Sequence, residues 1–326
     1  MTLSQRTQSP RLGFSRYGKR GLSMKFVEGK HVVYSFAPDM QAVLTVDDGD
    51  IVVFGSNDCF FQQVQSNNDV LDRIDHERLN PATGPVFVKG AKPGDLLKVD
   101  IMAIDVLVDQ GVTAVVAGEG SVKDEVEHNI VRVIPIVDGA AEYLGLRIPL
   151  KPMIGVIGVA PSDADGPCPT NTPYKHGGNM DTHDIRKGST LYLPVRQEGA
   201  LFALGDCHAI MGDGEACFTG LEVPAQVTVR LSVVKDTVSN WPILETETET
   251  MIIASAPTLE EATQKSVSQA VGALAKVLNC MWEEAYILAS LVVDVRISQV
   301  VDPLMTVRAV VPKTIATTEQ ILNALK

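Results

Sequence analysis

The segment from His176 to Glu215 reads HGGNMDTHDIRKGSTLYLPVRQEGALFALGDCHAIMGDGE and places two polar clusters around two apolar runs. The apolar runs, LYLPV and ALFAL, have the length and composition of buried β-strands. The short connection between them contains a glycine, so we predict that the two strands form a hairpin. Such a hairpin would bring the clusters HGGNMDTHD and GDCHAIMGDGE together, with the rest of the chain as their scaffold.

The second cluster contains an Asp-x-His pair directly after the predicted strand ALFAL. If the strand continues, Asp206 and His208 project from one face and Cys207 from the other. A carboxylate and an imidazole on one face are suited to a divalent metal such as zinc. Asp213 and Glu215 have the same spacing a few residues later. An isolated Asp-x-His pair is more often structural than catalytic, so the hypothesis depends on the convergence of both clusters.

The two clusters and their strands resemble the signature region of the acetamidase/formamidase family. Further similar segments are GPVFVKGAKPGDLLKVDI at Gly84–Ile101, PLKPMIGVIGVAP at Pro149–Pro161 and AYILASLVVDVRISQVVDP at Ala285–Pro303. The resemblance extends from about Ser35 to Thr314. It implies a mostly β fold and the metal-assisted hydrolysis of short aliphatic amides such as formamide and acetamide. The positions that match are His176, Asn179, Asp181, Asp206, His208, Asp213 and Glu215.

Amide hydrolysis needs an activated water, stabilisation of the oxyanion and a proton for the departing nitrogen. We predict that Asp206 and His208 bind the metal, with the shell completed by Asp181, His176 or Asp58. Zinc is the first choice of metal and calcium the alternative.

Two carboxylates are candidates for proton transfer, and one amide is a candidate for substrate binding. Glu215 is the first choice as proton shuttle, and Asp213 is the second. Asn179 is a candidate donor for orienting the amide. Asp58 also has a structural interpretation, in which it forms an Asx turn together with Asn57.

The alternative hypothesis is a non-catalytic protein of the same fold that binds a small ligand or a metal, for example a structural calcium. A cysteine nucleophile is disfavoured, since Cys207 would point away from His208. Cys59, which precedes Phe60 and Phe61, is interpreted as a small buried hydrophobic residue.

Composition narrows the possible partners and location. The formal net charge of −12 opposes binding to nucleic acids and to anionic membranes. Five cysteines without a C-x-x-C pair favour a reducing compartment, so we predict a cytoplasmic protein. The small amide is the expected partner, and exposed β edges suggest a homo-oligomer, a dimer or larger.

The rest of the chain predicts a mainly β fold, with sandwich or barrel-like layers and one or two helices near the C-terminus. Residues 1–25 are basic and are predicted to be a disordered extension, and residues 26–326 form the catalytic region, possibly as two β sub-domains. The segment 86–108, VFVKGAKPGDLLKVDIMAIDVLV, is predicted to be a second hairpin. A Thr258–Glu261 capping box begins the first convincing helix.

Overall fold

The computed structural model describes residues 24–326. The predicted extension at residues 1–25 therefore lies almost entirely outside the described residues, and Lys25 is the first residue of a strand. The strands are β1 (Lys25–Val27), β2 (Val32–Val33), β3 (Ser35–Phe36), β4 (Leu44–Val46), β5 (Ile51–Ser56), β6 (Ala82–Val88), β7 (Leu96–Val106), β8 (Gln110–Val115), β9 (Ile130–Val137), β10 (Ala140–Tyr143), β11 (Leu146–Pro149), β12 (Met153–Gly158), β13 (Cys168–Pro169), β14 (Gly177–Asn179), β15 (Thr190–Pro194), β16 (Phe202–His208), β17 (Glu222–Val223), β18 (Ala225–Val234), β19 (Ile243–Glu245), β20 (Glu249–Ala256), β21 (Asp294–Gln299) and β22 (Met305–Pro312).

The strands form two large sheets and one small one. The first large sheet has nine strands in the order β1-β5-β18-β7-β15-β19-β20-β22-β21. The second has eleven strands, with the main path β11-β10-β9-β8-β17-β16-β12-β14 and with β6 joining β16 to β2 and β4. Strands β3 and β13 pair by themselves. The predicted mainly β fold is confirmed.

The largest hydrophobic core contains side chains from both large sheets. Phe54 of β5 and Leu97 of β7 come from the first sheet, and Ile154 of β12 and Phe202 of β16 come from the second. Phe54 and Phe202 pack edge to face with ring centroids 5.6 Å apart. Burial of these shared residues holds the sheet that carries the site against the sheet that supports it.

The α-helices of the described chain lie near its C-terminus, as predicted: α1 (Leu259–Leu278), α2 (Trp282–Val292) and α3 (Thr318–Asn323). Helix α1 begins where the sequence indicates, because the Thr258 side chain accepts a hydrogen bond from the backbone N–H of Glu261 at 3.2 Å. Its buried face contributes Val271 and Leu274 to a second core, against Ile252 of β20. No helix within residues 24–326 combines the length and apolarity that crossing a membrane requires.

Both predicted hairpins are wrong. Strands β15 and β16, the runs LYLPV and ALFAL, lie in different sheets, and so do β6 and β7. Strand β15 pairs with β7 and β19, whereas β16 pairs with β12, β17 and β6. Each chain connection therefore crosses from one sheet to the other. The polar clusters nevertheless meet, because β12 lies between β14 and β16 and pairs with both.

Candidate metal and catalytic site

The candidate site lies on the second sheet, at the end of β16. This strand is buried throughout and carries Asp206 and His208. On one side β12 pairs with it, and on the other side Glu222 of β17 stands directly opposite His208. The buried side chain of Cys207 belongs to the main core. Asp206 and His208 thus converge on one face while Cys207 points to the other, as the spacing predicts.

Four carboxylates surround the imidazole of His208. Its Nε2 lies 3.2 Å from an oxygen of Glu222 and 3.5 Å from an oxygen of Asp206. Oxygens of Asp181 and Glu215 lie at 3.8 Å and 4.0 Å. All five residues are buried. Among residues 24–326, His208 is therefore the only basic residue whose side chain lies within 4.0 Å of these four acids.

Many polar atoms of this group lack hydrogen-bond partners among the described residues. The unpartnered atoms are both oxygens of Asp181, Oδ1 of Asp206, both ring nitrogens of His208 and Oε2 of Glu222. Burying such atoms without partners is costly, and native proteins rarely do so. A cation bound among the carboxylate oxygens and Nε2 of His208 would give most of these atoms a partner.

The electrostatics of the site favour the same conclusion. Burial raises the pKa of Asp181 to about 7, and it raises the pKa of Glu215 and Glu222 well above the usual range for a carboxyl. Burial lowers the pKa of His208, but the charges of Glu222 and Asp206 reverse this and raise it to about 10. These carboxylates destabilise one another, and a divalent cation would supply the missing positive charge.

The potential ligands fall into two groups. One consists of Asp181, His208 and Glu215, and the other of Cys59, Asp206 and Glu222. In each group the candidate ligand atoms lie within 4.8 Å of one another. Nitrogen, oxygen and sulfur donors at this spacing fit a divalent transition metal such as zinc.

Three of the acids at the site have a strained backbone conformation. Asp181, Asp206 and Glu215 all adopt left-handed conformations, with φ of 39°, 51° and 48°. Such conformations are costly for non-glycine residues and are concentrated at functional sites. Gly155 of β12 lies directly beneath, where a Cβ atom would contact an Asp181 oxygen and lie 2.8 Å from the Asp206 carbonyl oxygen. The absence of a side chain at Gly155 lets Asp181 and Asp206 pack directly against the backbone of β12.

A cavity of about 990 Å³ gives access to this cluster. Site residues in its wall include Cys59, Asn179, Asp206, Glu215, Glu222 and Asp302. Asn179 donates a hydrogen bond from Nδ2 to Asp302 at 3.2 Å, while its own Oδ1 has no partner in the described chain. A small polar molecule in the cavity would meet the acids and a free amide oxygen together.

Comparison with known proteins identifies the family. Residues 22–165 and 164–318 match the model of the acetamidase/formamidase family. The chain belongs to the acetamidase/formamidase family. The resemblance seen in the sequence is thereby confirmed.

Solved structures and curated relatives of the acetamidase/formamidase family agree with this. A crystal structure of a "predicted acetamidase/formamidase" from Thermoanaerobacter tengcongensis is 40% identical, with a TM-score of 0.89 over 92% of this chain and 99% of that one. An acetamidase structure from Bacillus halodurans is 38% identical, with a TM-score of 0.84 over 89% and 97% of the two chains. A formamidase of Methylophilus methylotrophus is 27% identical over 273 residues, or 63% of this chain and 65% of the relative. The match thus spans less than two thirds of that relative's length.

Two residues predicted as metal ligands lie outside both ligand groups of this acetamidase/formamidase family member. Asp58 is buried and accepts a hydrogen bond from the backbone N–H of Gln62 at 2.8 Å, as a turn-forming residue does. Burial raises the pKa of Asp58 to about 6. His176 is buried against the Phe36 ring, and burial lowers its pKa to about 4. A metal-binding role for either residue stays a prediction.

Asp213, the second choice as proton shuttle, is paired with His183 and Arg308. Its carboxylate binds His183 Nδ1 at 2.6 Å and accepts a hydrogen bond from Arg308 at 2.7 Å. Partial burial raises the pKa of Asp213, but these two partners outweigh burial and hold it at about 2. This geometry is that of an ion pair that anchors the loop before Glu215, and it does not favour proton transfer.

Three residues of the site were not predicted from the sequence. Glu222 is a single acid in an apolar stretch, and only the pairing of β17 with β16 shows that it faces His208. Asp302 follows β21, far along the chain. Cys59 was interpreted as a small hydrophobic residue; it does pack in an apolar cluster, but it also lines the cavity and belongs to a ligand group.

Proposed function

We propose that this protein hydrolyses short aliphatic amides, formamide and acetamide among them, to the carboxylate and ammonia. The observation that carries the proposal is the buried cluster around His208. Several of its ligand atoms have no hydrogen-bond partner within residues 24–326, and the cluster borders a cavity in a member of the acetamidase/formamidase family. A site with this many unsatisfied donor atoms is costly to maintain without a function.

The residues fit a divalent metal, and zinc fits better than calcium. Asp206 and His208 are the proposed ligands. Asp181 completes the set, since neither of its carboxylate oxygens has a hydrogen-bond partner in the part of the chain that the structure describes. Calcium prefers oxygen ligands alone, whereas zinc readily accepts the imidazole nitrogen. When bound, the metal would supply the acidity that ionises a water near pH 7 and would polarise the amide carbonyl.

Glu215 is the proposed proton shuttle. Its side chain is buried at the wall of the cavity, and burial raises its pKa well above the usual value for a carboxyl. When Glu215 is ionised, its carboxylate can accept the proton of the attacking water, and the carboxylic acid that results can protonate the departing nitrogen. Ammonia leaves after this second transfer. Glu215 thus acts first as general base and then as general acid.

Asn179 is proposed to orient the substrate. Its Nδ2 is already bound to Asp302, which fixes the plane of the side-chain amide. Its Oδ1 is free and can accept a hydrogen bond from the N–H of a small amide, which turns the substrate carbonyl toward the metal ligands. The sequence predicts Asn179 as a hydrogen-bond donor, whereas in the structure its Nδ2 is engaged by Asp302 and its oxygen is proposed as the contact.

The first prediction tests the function. Ammonia release from formamide and acetamide should be readily measured for the metal-loaded wild type and should be lost on treatment with a chelator. His208→Ala should lower kcat by at least about 10²-fold, because a misplaced metal loses its effect on the water. Elemental analysis of both proteins should show less metal in the variant. Turnover that survives both chelation and His208→Ala would remove the proposed mechanism, and full metal loading without turnover would favour the non-catalytic alternative.

The cytoplasmic location and the homo-oligomer stay predictions. In the described chain, α2 exposes Trp282, Ile287 and Leu291, and β21, the next element along the chain, is an edge strand; both are surfaces that assembly could cover. Light scattering of the purified protein would give its mass in solution.

A further inference from the structure

The cavity at the candidate site is much larger than formamide or acetamide. Its volume of about 990 Å³ lies at the upper end of the range of about 300–1,000 Å³ that holds drug-sized ligands. Formamide has three non-hydrogen atoms and acetamide has four, whereas a single water molecule takes about 30 Å³ in the liquid. Either of these two amides would therefore leave most of the cavity to water.

The acids account for only part of the cavity wall. The acids of the candidate site in this wall are Asp206, Glu215, Glu222 and Asp302. The wall also contains apolar side chains from segments that are far apart in the chain, among them Phe60, Leu79, Phe218, Leu259, Val301 and Met305. A cavity that combines an acidic cluster with several apolar side chains is suited to a molecule with one polar end and one apolar end.

The apolar side chains of the wall are supported from behind by two hydrophobic clusters. Phe60 belongs to one of them, and Leu79 packs against the same cluster. Leu259, the first residue of α1, packs against another cluster, which contains Ala256 of β20. Met305 of β22 stands opposite Ala256 in the sheet register. These parts of the wall are therefore built into the fold, and they keep an apolar surface open to the cavity.

Phe218 lies between the acids and the apolar part of the wall in a strained conformation. It follows the proposed shuttle Glu215 by three residues, and its backbone N–H donates a hydrogen bond to the Glu215 carbonyl oxygen at 2.9 Å. Its φ of 92° is costly for a bulky side chain, and such strain is concentrated at functional sites. The ring is only partly buried, and among residues 24–326 it belongs to no hydrophobic cluster. The strain thus serves to hold an aromatic ring in the cavity wall, where a ligand can contact it.

The charges of the wall favour a neutral molecule. Of its exposed ionisable side chains, Glu77, Glu119 and Asp124 are acidic, whereas Lys123 and His76 are basic. The exposed part of the wall is therefore acidic on balance when the histidine is neutral, and a carboxylate on the substrate would be repelled. A neutral apolar group meets no such repulsion.

We propose that the site also hydrolyses primary amides whose acyl group is neutral, apolar and as large as a pentyl chain or a benzyl group, and that Phe218 contacts this group. The inference rests on the proposed amide hydrolysis and names a further substrate class for the same site. Because the proposed contact with Asn179 uses an N–H of the amide, the acyl end is the one that extends along the apolar wall. The reaction itself is unchanged: the C–N bond breaks, water gives its OH to the acyl carbon and a proton to the nitrogen, and the products are ammonia and the larger carboxylic acid.

The test is a series of amides with the zinc-loaded wild type: formamide, acetamide, butanamide, hexanamide, 2-phenylacetamide and the anionic succinamate. We expect kcat/KM to rise at least about tenfold from acetamide to hexanamide and 2-phenylacetamide, since one methylene group in an apolar pocket changes kcat/KM by about 10-fold or more. Succinamate should be a poorer substrate than butanamide, because its carboxylate meets the acidic wall. In calorimetry, hexanamide should bind at least about tenfold more tightly than acetamide.

Two variants test where the acyl group lies. Phe218→Ala removes the aromatic contact, and Val301→Trp fills part of the cavity. Each should lower kcat/KM for 2-phenylacetamide at least about tenfold more than kcat/KM for formamide. The matched control is Val238→Trp, at a position that is 52% exposed and outside the cavity wall, and it should leave the ratio of the two kcat/KM values as in the wild type.

Wild-type kcat/KM values that do not rise from acetamide to the larger amides would overturn the inference, and this result needs no variant to fold. An unchanged ratio in both Phe218→Ala and Val301→Trp would also overturn it. Turnover of formamide and acetamide without turnover of the larger amides would reject this inference alone. If no amide is hydrolysed, the proposed function fails, and the calorimetric comparison of hexanamide with acetamide then decides whether the cavity binds an apolar acyl group.

Discussion

At the scale of the residue, Gly155 shows how little room the site leaves. Asp181 and the backbone of Asp206 occupy the space that a side chain at this position would need. Asp181 and Asp206 also adopt left-handed backbone conformations, which are costly for residues other than glycine. Single atoms therefore decide the geometry of the proposed metal ligands.

The second prediction concerns Gly155→Ala. The backbone of Gly155 is not left-handed, so alanine adds no strain in φ, but its methyl group would displace the Asp181 carboxylate and press against the Asp206 carbonyl oxygen. We expect kcat for formamide to fall about 10²-fold and metal content to fall with it. The matched control is Gly212→Ala, between His208 and Glu215, where a Cβ meets no atom within 4 Å. Equal activity in the two variants would contradict this role of Gly155.

The third prediction concerns the pH dependence of stability through His176. Burial lowers the pKa of His176 from 6.5 to about 4, so between these values the unfolded chain binds a proton that the native protein excludes. The stabilisation is present above pH 6.5 and is lost as the pH falls towards 4. Urea unfolding of wild type and His176→Phe across this range should show the wild type losing on the order of 3 kcal/mol relative to the variant. A difference that does not change with pH would refute the assignment.

At the scale of the element, a buried arginine on β22 ties several segments to the site. Arg308 is fully buried and donates hydrogen bonds to Ser298 at the end of β21 and to Asp213 in the loop before Glu215. Ser298 also bonds the Thr182 hydroxyl at 2.8 Å, next to Asp181. The segment that carries Asp181 and the loop that carries Glu215 are thus both linked to the guanidinium group of Arg308.

The fourth prediction is that Arg308→Met destabilises the protein by about 3–5 kcal/mol, because it leaves Asp184 and Asp213 without their buried partner. Turnover should also fall, since the loop that carries Glu215 loses its anchor. The matched control is Arg296→Met on the adjacent strand, directly opposite Arg308 in register. Arg296 is partly exposed in its ion pair with Glu249, so its loss should cost less than about 1 kcal/mol. Similar midpoints for the two variants in urea would contradict the prediction.

At the scale of the whole molecule, the site brings together acids from separate segments of the chain, and a bound cation would link these segments. Its acids come from the segment after β14, from β16, from the loop after β16 and from β17. Without a cation their charges oppose the packing of the second sheet; with one, the same charges become ligands that link these segments.

The fifth prediction follows from this linkage. A metal at a thousandfold excess over its Kd stabilises the native state by about 4 kcal/mol, so chelation should lower Tm clearly, and added zinc should restore it. His208→Ala, which lacks a central ligand, should respond much less to either treatment in differential scanning calorimetry. An unchanged Tm for the chelated wild type would show that the cluster is stable without a metal.

The sequence by itself determined features that depend on neighbours along the chain. The Thr258 cap placed the start of α1, and the two-residue spacing placed Asp206 and His208 on one face, because capping and strand alternation act over a few residues. Only the tertiary structure decided that β15 and β16 belong to different sheets, since a fully buried apolar run fits either sheet equally well. It also decided that Cys59 and Glu222 face Asp206, because strand pairing across long separations is set by the packing of the whole core rather than by any local pattern.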